Sequence, residues 1–309
     1  MIYQCTIAHS VFISGIGLHS GQRINMTLRP AEAKTGIVFH RSEGDRTVSI
    51  EAISANVVDT RLATVIGKGG LSVSTVEHIL AALTACGIDN LNIDIDGPEI
   101  PIMDGSAAPF VELIQKAGIR SLPRCRKYLS IRKPITLIEG EKRLTIIPSR
   151  FFRITYDIAF DHPCISLQNR TVKVTPETFR KEISAARTFG FLKEVEFLKA
   201  NGLARGGSME NAIVIDENAI LNPEGLRFPD EFVRHKILDA VGDFSLLGFP
   251  ILGHIKAFKA GHDINHKMVE KILSTPDSWK LVEFTEDDLC LSLQNESPAY
   301  ASELAFSKA

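Results

Sequence analysis

The sequence predicts an α+β protein of two domains, on three observations. Each half of the chain runs its strands first and its helices after, instead of alternating them as a parallel sheet requires. Between the halves, GIRSLPRCRKYLSI loses its apolar period and carries Pro123 among basic residues, which places a boundary near residue 124. The 309 residues are ample for two cores. The expected domains are 1–124, carrying Glu77 and His78, and 125–309, carrying His235, Asp239 and His262.

In the first half, QRINMTLRP, TGIVFHR, TVSIEA and LNIDIDG alternate apolar and polar residues between Gly, Pro, Asn and Asp turn signals, the pattern of strands. VSTVEHILAALTACG spaces Val76, Ile79, Leu80 and Leu83 as a helix and stops at Gly87, and APFVELIQKAG repeats the form and stops at Gly118. The second half restarts with strands in KYLSIRKPITLIEG, KRLTIIPS and RITYDIAF. Helices follow around PETFRKEISAA, EVEFLKANG, FVRHKILDAVGDFSLLG and HKMVEKILS. No residue-level repeat relates the two halves.

Composition excludes several classes. Hydrophobic residues make up 44% and charged residues 23%, and no stretch reaches the roughly 18 apolar residues of a membrane span. A formal charge of -2, from 35 basic and 37 acidic residues, gives no whole-molecule attraction for nucleic acid. Cys5, Cys86, Cys125, Cys164 and Cys290 are odd in number and contain no C-x-x-C pair, against a disulfide framework or a thiolate zinc site. With no basic n-region at MIYQCTIAHSVFISG, the expectation is a cytoplasmic protein without export.

The most chemically suggestive run is RHKILDAVGDF. On a helix it stacks His235, Asp239 and Asp243 one turn apart on one face, so an imidazole and a carboxylate converge on one cation. A second helix could add a ligand, and His78 in STVEHIL is a candidate donor. Each signal has a plain alternative. Ser74 followed by Glu77 reads alone as a capping box, and H-x-x-x-D is a common accident of helical charge patterning. In KAFKAGHDINHK, His262 follows Gly261 in a turn and is either a solvated loop histidine or one projected into a cleft beside Asp243. GIGLHSG lacks the spacing of a phosphate-cradling loop and reads as a Gly turn presenting His19. RGGSMENAIVI reads as a turn and a strand.

Taken together, GIGLHSG, STVEHILAAL, PEIPIMDGSA, SAARTFGF, GLARGGSMENAIV, NPEGLRFPDEFVRHKILDAVGD and GHDINHK resemble the UDP-3-O-acyl-N-acetylglucosamine deacetylases, the zinc amidases of lipid A biosynthesis. The resemblance covers nearly the whole chain, up to about Phe284. It implies a fold of two similar domains packed as a β-α-α-β sandwich, with a small βαβ insert at about 189–215. It also implies that His78, His235 and Asp239 bind Zn2+, with Fe2+ as an alternative occupant, leaving a fourth position for water. Zinc lowers the pKa of such a water from about 15.7 toward roughly 7.

By the same resemblance, Glu77 is the general base, and Thr188 and Lys236 stabilise the oxyanion. His262, held by Asp243, is either an electrostatic stabiliser or the acid for the leaving amine. Lys259 and Lys236 match basic positions near the diphosphate, Phe160 matches an aromatic that stacks on uracil, and His19 is expected on the nucleotide side. Phe191, Leu192, Val195, Ala204 and Val214 would line an apolar passage for the acyl chain, with Phe189 at its mouth. The implied reaction hydrolyses the 2-acetamido group of UDP-3-O-(3-hydroxyacyl)-N-acetylglucosamine. The implied protein is a monomer that works near the inner membrane without an anchor, and its length leaves no room for a fused dehydratase. Two rivals stay open at this point: an amidohydrolase of another N-acetylated sugar, and a binding protein with a structural metal site.

Overall fold

The computed structural model describes residues 2–285. Residues 286–309, which include Cys290 and nearly all of the tail to which the sequence assigns no function, lie outside the described residues. Cys5, Cys86, Cys125 and Cys164 remain thiols.

A five-stranded sheet orders Val11–Ile16, Arg23–Pro30, Leu91–Ile95, Ile37–Glu43 and Arg46–Glu51. Its strands pair antiparallel except for the parallel neighbours Ile37–Glu43 and Leu91–Ile95. Ile24, Met26 and Leu28 are fully buried between exposed or half-buried neighbours, the period of two that a sheet with one covered face imposes. Two helices accompany it, α1 (Glu77–Cys86) and α2 (Ala108–Ala117). Gly87 stops α1 in a left-handed conformation, φ 75°, that costs a residue without a Cβ nothing.

The second half builds a seven-stranded sheet centred on Ile251–Phe258. That strand pairs antiparallel with Lys142–Pro148, parallel with Phe152–Ala159, and through its first two residues with Lys127–Ile131. Sequence patterning did not single out this central strand. Its helices are α3 (Pro176–Thr178), which runs into a π-helical turn at Phe179–Ile183, then α4 (Leu192–Ala200), α5 (Glu231–Ser245) and α6 (His262–Leu273).

Helices α1 and α5 lie against each other between the two sheets, which gives the β-α-α-β layering. Gly242 lets the backbones approach: a Cβ there would sit 2.7 Å from the carbonyl carbon of Glu77 and 2.8 Å from its Cα. The insert is a βαβ unit in which Phe189–Phe191 and Ile213–Ile215 run parallel and α4 makes the crossover that parallel strands require.

One segment gains structure and one local reading is corrected. The basic stretch at the boundary is a strand, Ile119–Cys125, paired antiparallel with Tyr3–Ile7. Only Leu122 is buried in it, so a two-stranded ribbon with a proline shows no apolar period to read. His262 is not in a loop either. It is the first residue of α6, with its ring largely enclosed.

Candidate active site

Burial of Phe232, Val233, Ile237, Leu238, Val241 and Phe244 orients α5 so that His235 and Asp239, four residues apart, meet the start of α1. Across that contact lies His78. Its Nε2 is 3.7 Å from Asp239 Oδ1, His235 Nε2 is 3.2 Å from the same oxygen, and the two rings meet edge to face at 5.0 Å. One ligand atom from each of the three residues falls within 4.8 Å of the others, and all three residues are buried.

The chemistry of these donors fits a cation. Burial pushes His78 down to about 3, reinforced by His235, and it also lowers His235, so both imidazoles are neutral. The Ala186 carbonyl 3.0 Å from His235 Nδ1 can only accept, so Nδ1 carries the proton and Nε2 turns its lone pair toward Asp239. Burial opposes the charge on Asp239, but His235, Lys236, His262 and His78 hold its carboxyl far below the usual carboxylate range. Its Oδ1 is nevertheless buried with no hydrogen-bond partner among the described residues. The His235 lone pair, the neutral His78 ring and an unpartnered carboxylate oxygen thus face one point, an arrangement that positive charge relieves.

Beside this cluster stands Glu77, which burial pushes up to about 8, with Asp243 and Asp239 adding and His262 opposing. The capping-box reading is corrected here. The position before α1 is Val76, with no side-chain cap, and Glu77 Oε2 instead accepts the backbone N–H of Thr64 at 3.0 Å. Opposite, His262 Nδ1 lies 2.9 Å from Asp243 Oδ2, and its Nε2 lies 3.9 Å from Glu77 Oε1. Burial disfavours charge on this ring, yet Asp243, with Glu77 and Asp239 behind it, lifts it to about 9. Asp243 is completed by the Thr64 hydroxyl at 2.6 Å and by Asn265 Nδ2 at 2.8 Å. Lys236 donates to Asp239 Oδ2 at 2.8 Å.

These groups open into a cleft of about 330 Å³ lined by Glu77, His78, His235, Lys236, Asp239 and His262, together with His19, Thr188 and Phe189. A second hollow of about 450 Å³ is lined by Phe160, His162 and Lys259, and there Lys259 also pairs with Glu141 at 2.8 Å. His19 therefore lies on the cleft side and not in the hollow with Phe160. Phe160 is 5.9 Å from Phe189 and 6.0 Å from Phe191, so the aromatic residues stand between hollow and insert. Phe191 and Val214 lie on the paired insert strands and Leu192 and Val195 on α4. Ala204 is buried in the turn that follows, at φ 49°.

Sequence reasoning missed the groups that hold these residues. Arg187, 1% exposed, donates through its backbone N and its Nε to Glu231 Oε1, both at 2.9 Å, and ties the segment carrying Thr188 to the first residue of α5. Its position beside Thr188 in SAARTFGF was the available signal. Glu99, also buried, accepts the backbone N–H groups of His19 and Ser20 at 2.9 and 3.0 Å and so shapes the GIGLHSG turn. The insert then docks on that turn, with Gly206 N donating to Leu18 O at 3.0 Å.

A two-histidine, one-carboxylate cluster beside a raised glutamate and a His–Asp pair, between two α+β layers, defines the class as a metal-dependent hydrolase. Comparison with known proteins narrows it. The sequence profile of the LpxC family, UDP-3-O-acyl N-acetylglycosamine deacetylase, matches residues 4–274, and the chain belongs to that family. It is 71% identical over 286 residues to the UDP-3-O-acyl-N-acetylglucosamine deacetylase of Syntrophotalea carbinolica, covering 93% of each chain. It is 58% identical to the protein of that name from Geobacter sp. strain M21, over 92% of this chain and 93% of the other. With the one from Pseudoalteromonas translucida it shares 48% identity over 92% and 95%.

Proposed function

We propose that this chain hydrolyses the 2-acetamido group of UDP-3-O-(3-hydroxyacyl)-N-acetylglucosamine to the free amine and acetate, an early committed step of lipid A biosynthesis. The observation that carries the reading is the buried His78–His235–Asp239 cluster with Glu77 and the His262–Asp243 pair on its rim. His78, His235 and Asp239 hold Zn2+, or Fe2+ in its place. When bound, the cation supplies Lewis acidity and positive charge, which acidifies water and draws the pKa of Glu77 down from its raised value.

Glu77 takes the proton from water as its oxygen attacks the acetamide carbonyl. Thr188 and Lys236 line the same cleft, and their hydroxyl and ammonium stabilise the oxygen on which negative charge develops. Collapse of the tetrahedral carbon breaks the C–N bond, and the amine takes a proton. His262, charged at neutral pH, either supplies that proton or stabilises the developing charge across the cleft.

The hollow lined by Phe160 and Lys259 suits a uracil face and a phosphate charge, and Lys236, in the neighbouring cleft, adds a second cation for the diphosphate. Phe189, Phe191, Leu192, Val195, Ala204 and Val214 give the insert apolar character for an acyl chain, at about 0.8 kcal/mol for each methylene buried. Among the described residues no helix is long and apolar enough to cross a membrane. We place the enzyme in the cytoplasm as a monomer working close to the inner membrane surface, in two domains meeting near residue 125.

The test measures acetate release from the acylated UDP-sugar and from UDP-N-acetylglucosamine, with metal-loaded and chelator-treated protein. Metal-dependent release that falls steeply without the acyl chain is expected. Equal kcat/KM for both substrates removes the acyl role, and release that ignores chelation removes the metal.

A further inference from the structure

We propose that Thr64 is a positioning residue for this reaction, holding Glu77 and the Asp243–His262 pair in fixed relation to each other. The inference rests on the deacetylase reading above and deepens it.

Thr64 is 1% exposed and lies behind the cleft, where it touches both helices that build the site. Its backbone N–H donates to Glu77 Oε2 at 3.0 Å, and its carbonyl accepts from Val76 N, at the entry to α1, at 3.2 Å. Its hydroxyl donates to Asp243 Oδ1 on α5 at 2.6 Å. One residue therefore bonds to two carboxylates on facing helices.

The donor directions make the arrangement specific. A carboxylate oxygen only accepts, so the single hydroxyl proton of Thr64 is committed to Asp243 Oδ1. Asp243 Oδ2 is left for His262 Nδ1 at 2.9 Å and Asn265 Nδ2 at 2.8 Å. The hydroxyl oxygen is also 3.4 Å from His262 Nδ1, against the same edge of the ring. Without the hydroxyl, the soft terminal torsion of Asp243 is free to turn and the imidazole turns with it. On the other helix, the Thr64 N–H occupies Glu77 Oε2 and leaves Oε1 as the oxygen nearer His262 Nε2, 3.9 Å away. Thr64 thereby selects which oxygen of Glu77 is available as base, and it aligns His262 from behind.

Valine at this position keeps the shape and the backbone N–H and removes only the hydroxyl, whereas serine keeps the hydroxyl. The test measures kcat, KM, metal content and melting for metal-loaded full-length wild type, Thr64→Ser and Thr64→Val, and repeats Thr64→Val in an Asp243→Ala background. Thr64→Val is expected to lower kcat by about tenfold to a hundredfold, the scale of a small misplacement, with KM and metal content unchanged. Thr64→Ser is expected to stay within about threefold of wild type, and the valine substitution to change kcat by less than about twofold once Asp243 is absent.

Wild-type kcat in Thr64→Val overturns the proposal. So does a full-sized loss in the Asp243→Ala background, or a serine variant as slow as valine, since both mean the hydroxyl does not act through Asp243. If Thr64→Val does not fold, Thr64→Ala is read on the same criteria. An inactive wild type brings down the deacetylase reading and this inference with it, while an active wild type with a fully active valine variant brings down the inference alone.

Discussion

Gly242→Ala tests whether the close approach of α1 and α5 builds the metal cluster. Two effects oppose each other. Alanine in a helix interior is favoured over glycine by about 1 kcal/mol. Against that, the added Cβ would lie 2.7 and 2.8 Å from the carbonyl carbon and Cα of Glu77, where carbon atoms prefer about 3.5–4.0 Å. The obstructing atoms are backbone, so no rotamer change relieves the overlap, and the helices must separate by about 1 Å. Overpacking of this kind costs about 1–3 kcal/mol and occasionally more, so the steric term wins.

The separation also moves Glu77 and His78 away from His235 and Asp239, by more than the roughly 0.2 Å that a metal site tolerates. We expect a melting temperature several degrees below wild type together with weaker metal retention, read by calorimetry and by metal analysis after dialysis against a weak chelator. A variant that melts at or above the wild-type temperature with full metal content would refute the reasoning.

Two further outcomes follow from the same geometry. His262 is lifted to about 9, so its charged form persists at neutral pH and is lost as pH rises through that value. The alkaline limb of the kcat profile should therefore report loss of this charge, and Asp243→Asn should move it to lower pH by removing the nearest negative charge; an unmoved limb would assign it to another group. Glu231→Ala leaves the buried Arg187 guanidinium without its fully buried partner and should cost about 3–5 kcal/mol in urea unfolding. A loss below about 1 kcal/mol would mean that solvent or Glu224 takes over that charge.

Local order in this chain writes itself in sequence, and long-range order does not. Helix α1 was legible from Val76, Ile79, Leu80 and Leu83, and α1 and α2 alike from the glycines that stop them, because apolar spacing and a glycine stop at positive φ are local physics. His235 and Asp239 were legible as a pair for the same reason, since four residues is one helical turn. Thr64 was not legible, because its bond to Asp243 spans 179 residues and nothing within its own segment marks it. The Arg187–Glu231 pair spans 44 residues and hides in the same way. Glu77 misled on its own, because the spacing that makes a capping box is satisfied while its carboxylate turns to Thr64. The central strand Ile251–Phe258 also escaped: Gly253 and Ala257 take two of its four buried positions, which leaves few large apolar residues to mark the period, and its partners lie about a hundred residues upstream.

The central claim is that Glu77 does the chemistry at a metal site that His78, His235 and Asp239 hold without it. Mass spectrometry of the acylated UDP-sugar after incubation with wild type and with Glu77→Gln, each assayed for bound metal, tests this most directly. Equal metal in both proteins, with loss of one acetyl group by wild type and turnover reduced by about 10²-fold or more in the variant, is the predicted result. Full turnover by Glu77→Gln, or a metal-loaded wild type that leaves the substrate intact, would contradict it.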